Sequence, residues 1–175
     1  MSDLINKARQ IKLLALDVDG VMTNGVIYYG TNGPHIKGFH IHDGMGIKLL
    51  QKTGVNVAII TSKQSEAVAE RANELNITHV YMGRENKVPA YEDLKHKLQL
   101  TDEQVAYMGD DLPDLPLLRR AGLAITVPNA SPTLIQHIDL ITVKQAGNGA
   151  VREVCDLIMK AQDQYEAVIQ SFLSE

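Results

Sequence analysis

Two carboxylates, Asp17 and Asp19, close the apolar run Leu13-Leu14-Ala15-Leu16, and Gly20 then lets the chain turn away. Acids beside apolar neighbours are costly unless a cation or hydrogen bonds hold them. Strand alternation sends Asp17 and Asp19 to one side and Val18 to the other. By itself the stretch also fits a polar turn, because Asp-Gly is common in turns. Further along, Thr61 ends a second apolar run, Lys87 stands at a helix start, and Asp110 and Asp111 end a third run. Together these groups fit phosphoryl transfer. Asp17 and Asp110 offer the oxygens that a magnesium-type cation prefers, with water and phosphate completing the shell. A carboxylate can attack phosphorus to form an aspartyl phosphate, and a metal lowers the repulsion on approach. Thr61 and Lys87 suit the equatorial oxygens, where transition-state charge spreads. Asp19 suits the proton traffic of leaving alkoxide and incoming water.

The elements that must position these groups alternate between strand and helix. Leu13 to Leu16 reads as a strand buried on both faces, as in parallel sheets. Strands are predicted at Val55–Ile60, His79–Tyr81, Val105–Met108, Leu123–Val127 and Leu140–Ile141. Between the first strand and the first helix, Val26–Tyr29 and His35–Ile41 flank the turn residues Asn32 and Gly33, which predicts a β-hairpin. Asp43 is placed to cap a helix that Gly54 stops, and helices are predicted over Ala67–Leu75, Pro89–Leu98 and Leu115–Ala121. Thr101 to Gln104 fits a capping box, and Ser131-Pro132 a helix start. One long helix is predicted from Val151 to about Leu173, on the stripe Val154, Leu157, Ile158, Ala161, Tyr165, Val168 and Ile169. The pattern implies a single α/β domain over 1–175 with about six strands in a mainly parallel sheet between helix layers. The hairpin forms a flap over about 24–42, and a C-terminal loop and helix span about 144–175. Ligands of such sheets sit beyond the carboxyl ends of the strands, where the polar residues fall.

At 175 residues, 45% hydrophobic and 22% charged, the composition is that of an ordinary globular domain. A net charge of −4 gives no support for nucleic acid or anionic membrane as the main partner. The single cysteine, Cys155, excludes an internal disulfide and sits in an apolar pattern as a small buried hydrophobe. No apolar run reaches membrane-spanning length and the N-terminus lacks a secretory pattern, so a cytoplasmic location is expected.

These residues resemble the haloacid dehalogenase-like phosphatases, a Rossmann-like three-layer superfamily. Asp17-Val18-Asp19-Gly20-Val21 resembles the first motif. Thr61, Lys87 and Gly109-Asp110-Asp111-Leu112-Pro113-Asp114 resemble the other three, in order. The resemblance implies Asp17 as nucleophile and Asp19 as general acid/base. It implies magnesium held by Asp17, the main-chain carbonyl of Asp19, and Asp110, with Asp111 and Asp114 supporting the site. The absence of a cap, the hairpin before His42-Asp43-Gly44-Met45-Gly46, and Gly149-Ala150-Val151-Arg152-Glu153-Val154-Cys155 are similar to the 3-deoxy-D-manno-octulosonate 8-phosphate phosphatase family. That resemblance implies a small phosphorylated sugar-acid substrate, a place in lipopolysaccharide precursor synthesis, and a homotetramer in which a neighbouring subunit helps close each site.

Three positions depart from the family pattern. Thr61-Ser62-Lys63 stands for a frequent Thr-Gly-Arg, His42 for a frequent arginine, and Ala146-Gly147-Asn148 for two glycines followed by arginine. All three touch substrate specificity more than the reaction. Lys63 fits a substrate-anion contact or a solvated side chain, and Arg152 fits a sugar-carboxylate contact or an ordinary first-turn residue. His40 and His42 read as two polar groups on a strand rather than a metal pair. The rival readings are a phosphatase for a related sialic-type nonulosonate 9-phosphate and, in a different class, a receiver-like phospho-aspartate module. Asp19 separates the last, because a stable phospho-switch gains nothing from an acid/base there.

Overall fold

The computed structural model describes residues 2–30 and 33–174. Its centre is a six-stranded parallel sheet in the order β5-β4-β1-β6-β7-β8. The strands are β1 (Leu13–Leu16), β4 (Asn56–Ile60), β5 (His79–Tyr81), β6 (Val105–Met108), β7 (Leu123–Thr126) and β8 (Leu140–Ile141). The central strand β1 pairs with β4 on one side and β6 on the other, Leu16 facing Ile59 and Met108. All four β1 residues are fully buried. Alternation divides them: Leu14 and Leu16 join one core cluster, Leu13 and Ala15 the other.

Helices cover both faces. Residues of α1 (Ser2–Gln10), α2 (Ile41–Lys52), α3 (Glu66–Glu74) and α6 (Ala150–Ala161) pack into the first cluster, and those of α4 (Val88–Leu98) and α5 (Leu115–Leu118) into the second. Helix α1 was not expected from the sequence; it buries only Ala8, so its apolar signal is weak.

Three local expectations change. The hairpin is shorter than predicted, with β2 (Tyr28–Gly30) antiparallel to β3 (Gly33–Ile36) and a bulge between Tyr28 and Tyr29. Asn32 of its expected turn lies outside the described residues. The second hairpin strand stops at Ile36, and Ile41 already begins α2, with extended His40 at its start. Asp43 therefore lies inside the first turn and caps another helix: its carboxylate accepts from the backbone N–H of Gly149 at 3.3 Å and Arg152 at 2.8 Å. It fastens α2 to the start of α6, where Gly149 has no side chain to offer.

The expected long C-terminal helix is two helices, α6 and α7 (Tyr165–Leu173). Asp163 adopts a left-handed backbone, φ 58°, between them. The Gln162 amide there donates to Ile11 O at 2.7 Å, capping the chain just past α1. The apolar stripe continued beyond the break, but α7 buries none of its residues. Among the described residues no helix is long and apolar enough to cross a membrane.

Candidate active site

Strand β1 delivers Asp17 to the centre of the sheet's carboxyl edge. Its backbone N–H donates to Met108 O at 2.9 Å, extending the ladder with β6 by one step. The chain then folds over Val18, whose carbonyl accepts the N–H groups of Val21, Met22 and Thr23. Val18 is buried at 0% and Asp17 at 6% exposure, so the turn sends the valine into the core and keeps the carboxylate at the edge.

Lys87, just before α4, crosses to this edge from β5. Its ammonium donates to Asp17 Oδ1 and Asp114 Oδ1, both at 2.6 Å, and lies 3.4 Å from the Tyr107 hydroxyl. The buried Tyr107 hydroxyl itself donates to Asp114 Oδ1 at 2.6 Å. The other oxygen of Asp114, Oδ2, accepts from the backbone N–H of Asp110 at 3.0 Å and Asp111 at 3.3 Å. A carboxylate has about four lone-pair sites, and four donors reach Asp114. It is therefore a brace that ties Lys87 to the loop carrying Asp110.

Burial acts against the Lys87 ammonium, but Asp17 and Asp114 outweigh it and hold its pKa above the ordinary lysine value. The acids move the other way. Burial first, then the Asp114 charge, push Asp17 up to about 6 despite Lys87. Burial, then Asp17 and Asp114, push Asp110 up to about 7. One ammonium does not balance this cluster, and a divalent cation would. Asp17, Asp110 and Asp114 each present an oxygen within 4.8 Å of the others, a spacing that can hold a metal ion. Since Asp114 is already saturated by donors, Asp17 and Asp110 are the pair best placed to ligate. Gly20 fits the same picture: at φ +91° it lies against the Asp110 carboxyl so closely that a methyl group there would stand 2.5 Å from Asp110 Cγ.

Thr61 is buried one residue past β4, next to β1 in the sheet, with its N–H donating to Tyr81 O at 2.9 Å. Asp111 is exposed on the same loop as Asp110. Asp19 is held by Lys37, which follows β3, in an ion pair to Oδ1. Beside that pair opens a cavity of about 810 Å³ between the hairpin and the start of α3, lined by Tyr29, Lys37, Lys63, Gln64 and Glu70. The structure thus gathers Asp17, Asp110, Asp114 and Lys87, sets Thr61 on the neighbouring strand end, and puts Lys63 in the adjoining cavity. Arg152 is not brought there. Its Nε donates to Asp156 Oδ1 at 2.8 Å, and its side chain lies against Gly46 of α2.

Sequence reasoning missed Lys37, Tyr107 and the cross-helix role of Asp43. Tyr107 did leave a signal, since a hydroxyl inside a fully buried strand needs a partner. Lys37 left none beyond a cation on an insertion.

A profile of the haloacid dehalogenase-like hydrolases matches residues 79–154. The 3-deoxy-D-manno-octulosonate 8-phosphate phosphatase KdsC of Yersinia pestis is 47% identical over 164 residues, 94% of this chain and 88% of that protein. This chain belongs to the 3-deoxy-D-manno-octulosonate 8-phosphate phosphatase family. KdsC of Escherichia coli K12 is likewise 47% identical, over 92% of this chain and 86% of the relative. The family member from Moraxella catarrhalis, solved with magnesium ion, phosphate ion and KDO, superposes with a TM-score of 0.96 at 45% identity, covering 98% of this chain and 99% of that one. A cobalt-bound member from Haemophilus influenzae has a TM-score of 0.91 at 36% identity, over 95% and 99% of the two chains.

Proposed function

We propose that this chain is a magnesium-dependent phosphomonoesterase that hydrolyses 3-deoxy-D-manno-octulosonate 8-phosphate to the sugar acid and phosphate. The observation that carries the reading is the Lys87 ammonium clamped between Asp17 and Asp114, with Asp110 beside it, at the end of the central strand. Identity of 47% to curated phosphatases over nearly the whole chain supports the substrate.

Asp17 attacks phosphorus and forms an aspartyl phosphate, while Asp19 gives its proton to the departing sugar oxygen. Asp19 then takes a proton from the water that hydrolyses the intermediate. Lys87 and Thr61 hold the phosphoryl oxygens as charge spreads over them. Asp17, Asp110 and the Asp19 carbonyl would hold magnesium, which would supply the positive charge that lets a carboxylate approach a phosphate. Asp114 positions Asp110 and Lys87, Asp111 would support the metal site from the same loop, and Lys63 meets the sugar portion. Arg152 stays outside this scheme within one chain, because Asp156 holds its guanidinium.

The product feeds lipopolysaccharide precursor synthesis in the cytoplasm, and the active form is a homotetramer. Tyr28, Tyr29, Ile36 and Ile41 are all more than half exposed around the hairpin, and apolar surface of this kind marks an interaction site. Sedimentation of a monomer at micromolar concentration would overturn that part.

The direct test is phosphate release with magnesium from a panel holding this sugar phosphate and nonulosonate 9-phosphates, with Asp17→Asn and Asp19→Asn alongside. Preference for the eight-carbon substrate, lost in both variants, is the expected result. Preference for a nine-carbon substrate would replace the named sugar and leave the chemistry standing.

A further inference from the structure

The two carboxylates of the Asp17-Val18-Asp19 turn each have an ammonium partner, but the partners come from different parts of the fold. Lys87 reaches Asp17 from the sheet side, at the start of α4. Lys37 reaches Asp19 from the hairpin side, immediately after β3. The two carboxylates are also fixed to different degrees. Asp17 is locked by the backbone ladder and by burial, whereas the Asp19 side chain is 23% exposed and lies beyond the strand. A carboxylate in that position has rotamer freedom unless something holds it. The Lys37 side chain is only 6% exposed. Lysine is almost never that buried unless paired, so the hairpin has folded its cation inward onto Asp19. The cavity of about 810 Å³ opens beside the pair, where the part of a substrate beyond its phosphate would lie.

We infer that Lys37 is a positioning residue for the proton transfer at Asp19, and that the hairpin through it takes part in cleaving phosphates with poor leaving groups. The inference rests on the phosphatase reading above. In the first step a bond forms between an Asp17 oxygen and phosphorus. The bond from phosphorus to the sugar oxygen breaks with its electron pair going to that oxygen. The proton moves to the same oxygen from Asp19, which regains one from water when the aspartyl phosphate is hydrolysed, leaving it protonated for the next turnover. Lys37 donates to Asp19 Oδ1, a contact that the carbonyl oxygen of the protonated carboxyl also accepts, so the second oxygen carries the proton toward the leaving group. A sugar alkoxide is a strong base and needs this proton as it departs. A nitrophenolate is a stable anion and leaves without it. Misplacing Asp19 therefore penalises the first class of substrate and spares the second.

The test compares kcat for 3-deoxy-D-manno-octulosonate 8-phosphate and for p-nitrophenyl phosphate in the full-length chain with magnesium, in the native protein, Lys37→Met and Lys37→Arg. General acid catalysis contributes roughly 100- to 10,000-fold, so loss of its positioning should lower kcat on the sugar phosphate by about tenfold or more in Lys37→Met. Turnover of the aryl phosphate should fall by less than about threefold, and Lys37→Arg should recover most of the sugar-phosphate rate. The aryl activity also reports that the variant is folded. Equal losses on both substrates would overturn the inference and leave Lys37 as a plain tether of the hairpin, and no loss on either would overturn it too. A native chain inactive on both substrates would instead bring down the phosphatase reading itself.

Discussion

Replacing Gly20 with alanine separates the stability of this fold from the integrity of its metal site. Gly20 carries φ +91°, and its Cα hydrogen faces the Asp110 carboxyl. An alanine there costs about 1–2 kcal/mol for the left-handed backbone alone. The methyl group would stand 2.5 Å from Asp110 Cγ, a distance that real contacts do not tolerate, and 3.0 Å from Oδ1. The obstacle is the far end of a short side chain rather than backbone, so Asp110 can rotate aside at a further ~0.5–1.5 kcal/mol. The expected destabilisation is about 1.5–3.5 kcal/mol, or roughly 3–14 °C in Tm for a chain of this size. The fold survives, but a displaced Asp110 no longer shares a cation with Asp17. Magnesium required for half-maximal phosphate release should rise by about tenfold or more, the scale seen when groups orienting a ligand are lost. Thermal melts and a magnesium titration of activity give the two quantities. A Gly20→Ala protein that melts lower yet keeps the native magnesium dependence would refute the placement of Asp110 on the metal.

Two further outcomes follow from the geometry. Asp17 at about 6 and Asp110 at about 7 lie above their unfolded values near 3.9, so the metal-free fold binds more protons than the unfolded chain over that range. The protein without metal therefore loses stability as pH rises from about 4 to 7, and metal, which must displace those protons, binds more tightly over the same span. Melting curves with and without magnesium should show a larger magnesium-induced rise in Tm near pH 8 than near pH 5.5, and equal rises would contradict the shifts. Asp43→Ala strips the cap from α6 and leaves the N–H groups of Gly149 and Arg152 without their partner, at a cost of about 1–2 kcal/mol. Its Tm should drop by roughly 2–8 °C, with Asn recovering part of the loss; a variant melting with the native protein would show that the cap carries no stability.

Much of this arrangement is legible in the chain because short apolar runs bounded by turn or polar residues read as strands. Leu13–Leu16, His79–Tyr81, Val105–Met108 and Leu140–Ile141 were read with the ends they have in the structure. Once the strands are parallel, their carboxyl ends share one edge, so Asp17, Thr61 and Asp110 converge by topology alone. Helix boundaries were less legible. The stripe from Val154 to Ile169 keeps helical spacing through Asp163, and only the docking of Gln162 on the chain after α1 shows where the helix stops.

Local pattern along the chain sets the sheet, its carboxyl edge and the types of group on it, because burial and period act through near neighbours. Which groups become partners is settled by packing. Lys37 with Asp19, Tyr107 with Asp114, Arg152 with Asp156 rather than the site, and Asp43 with a helix more than a hundred residues on are matters of hydrogen-bond reach. A side chain of given type satisfies its charge with whichever group packing brings within about 3 Å, and that depends on the whole fold.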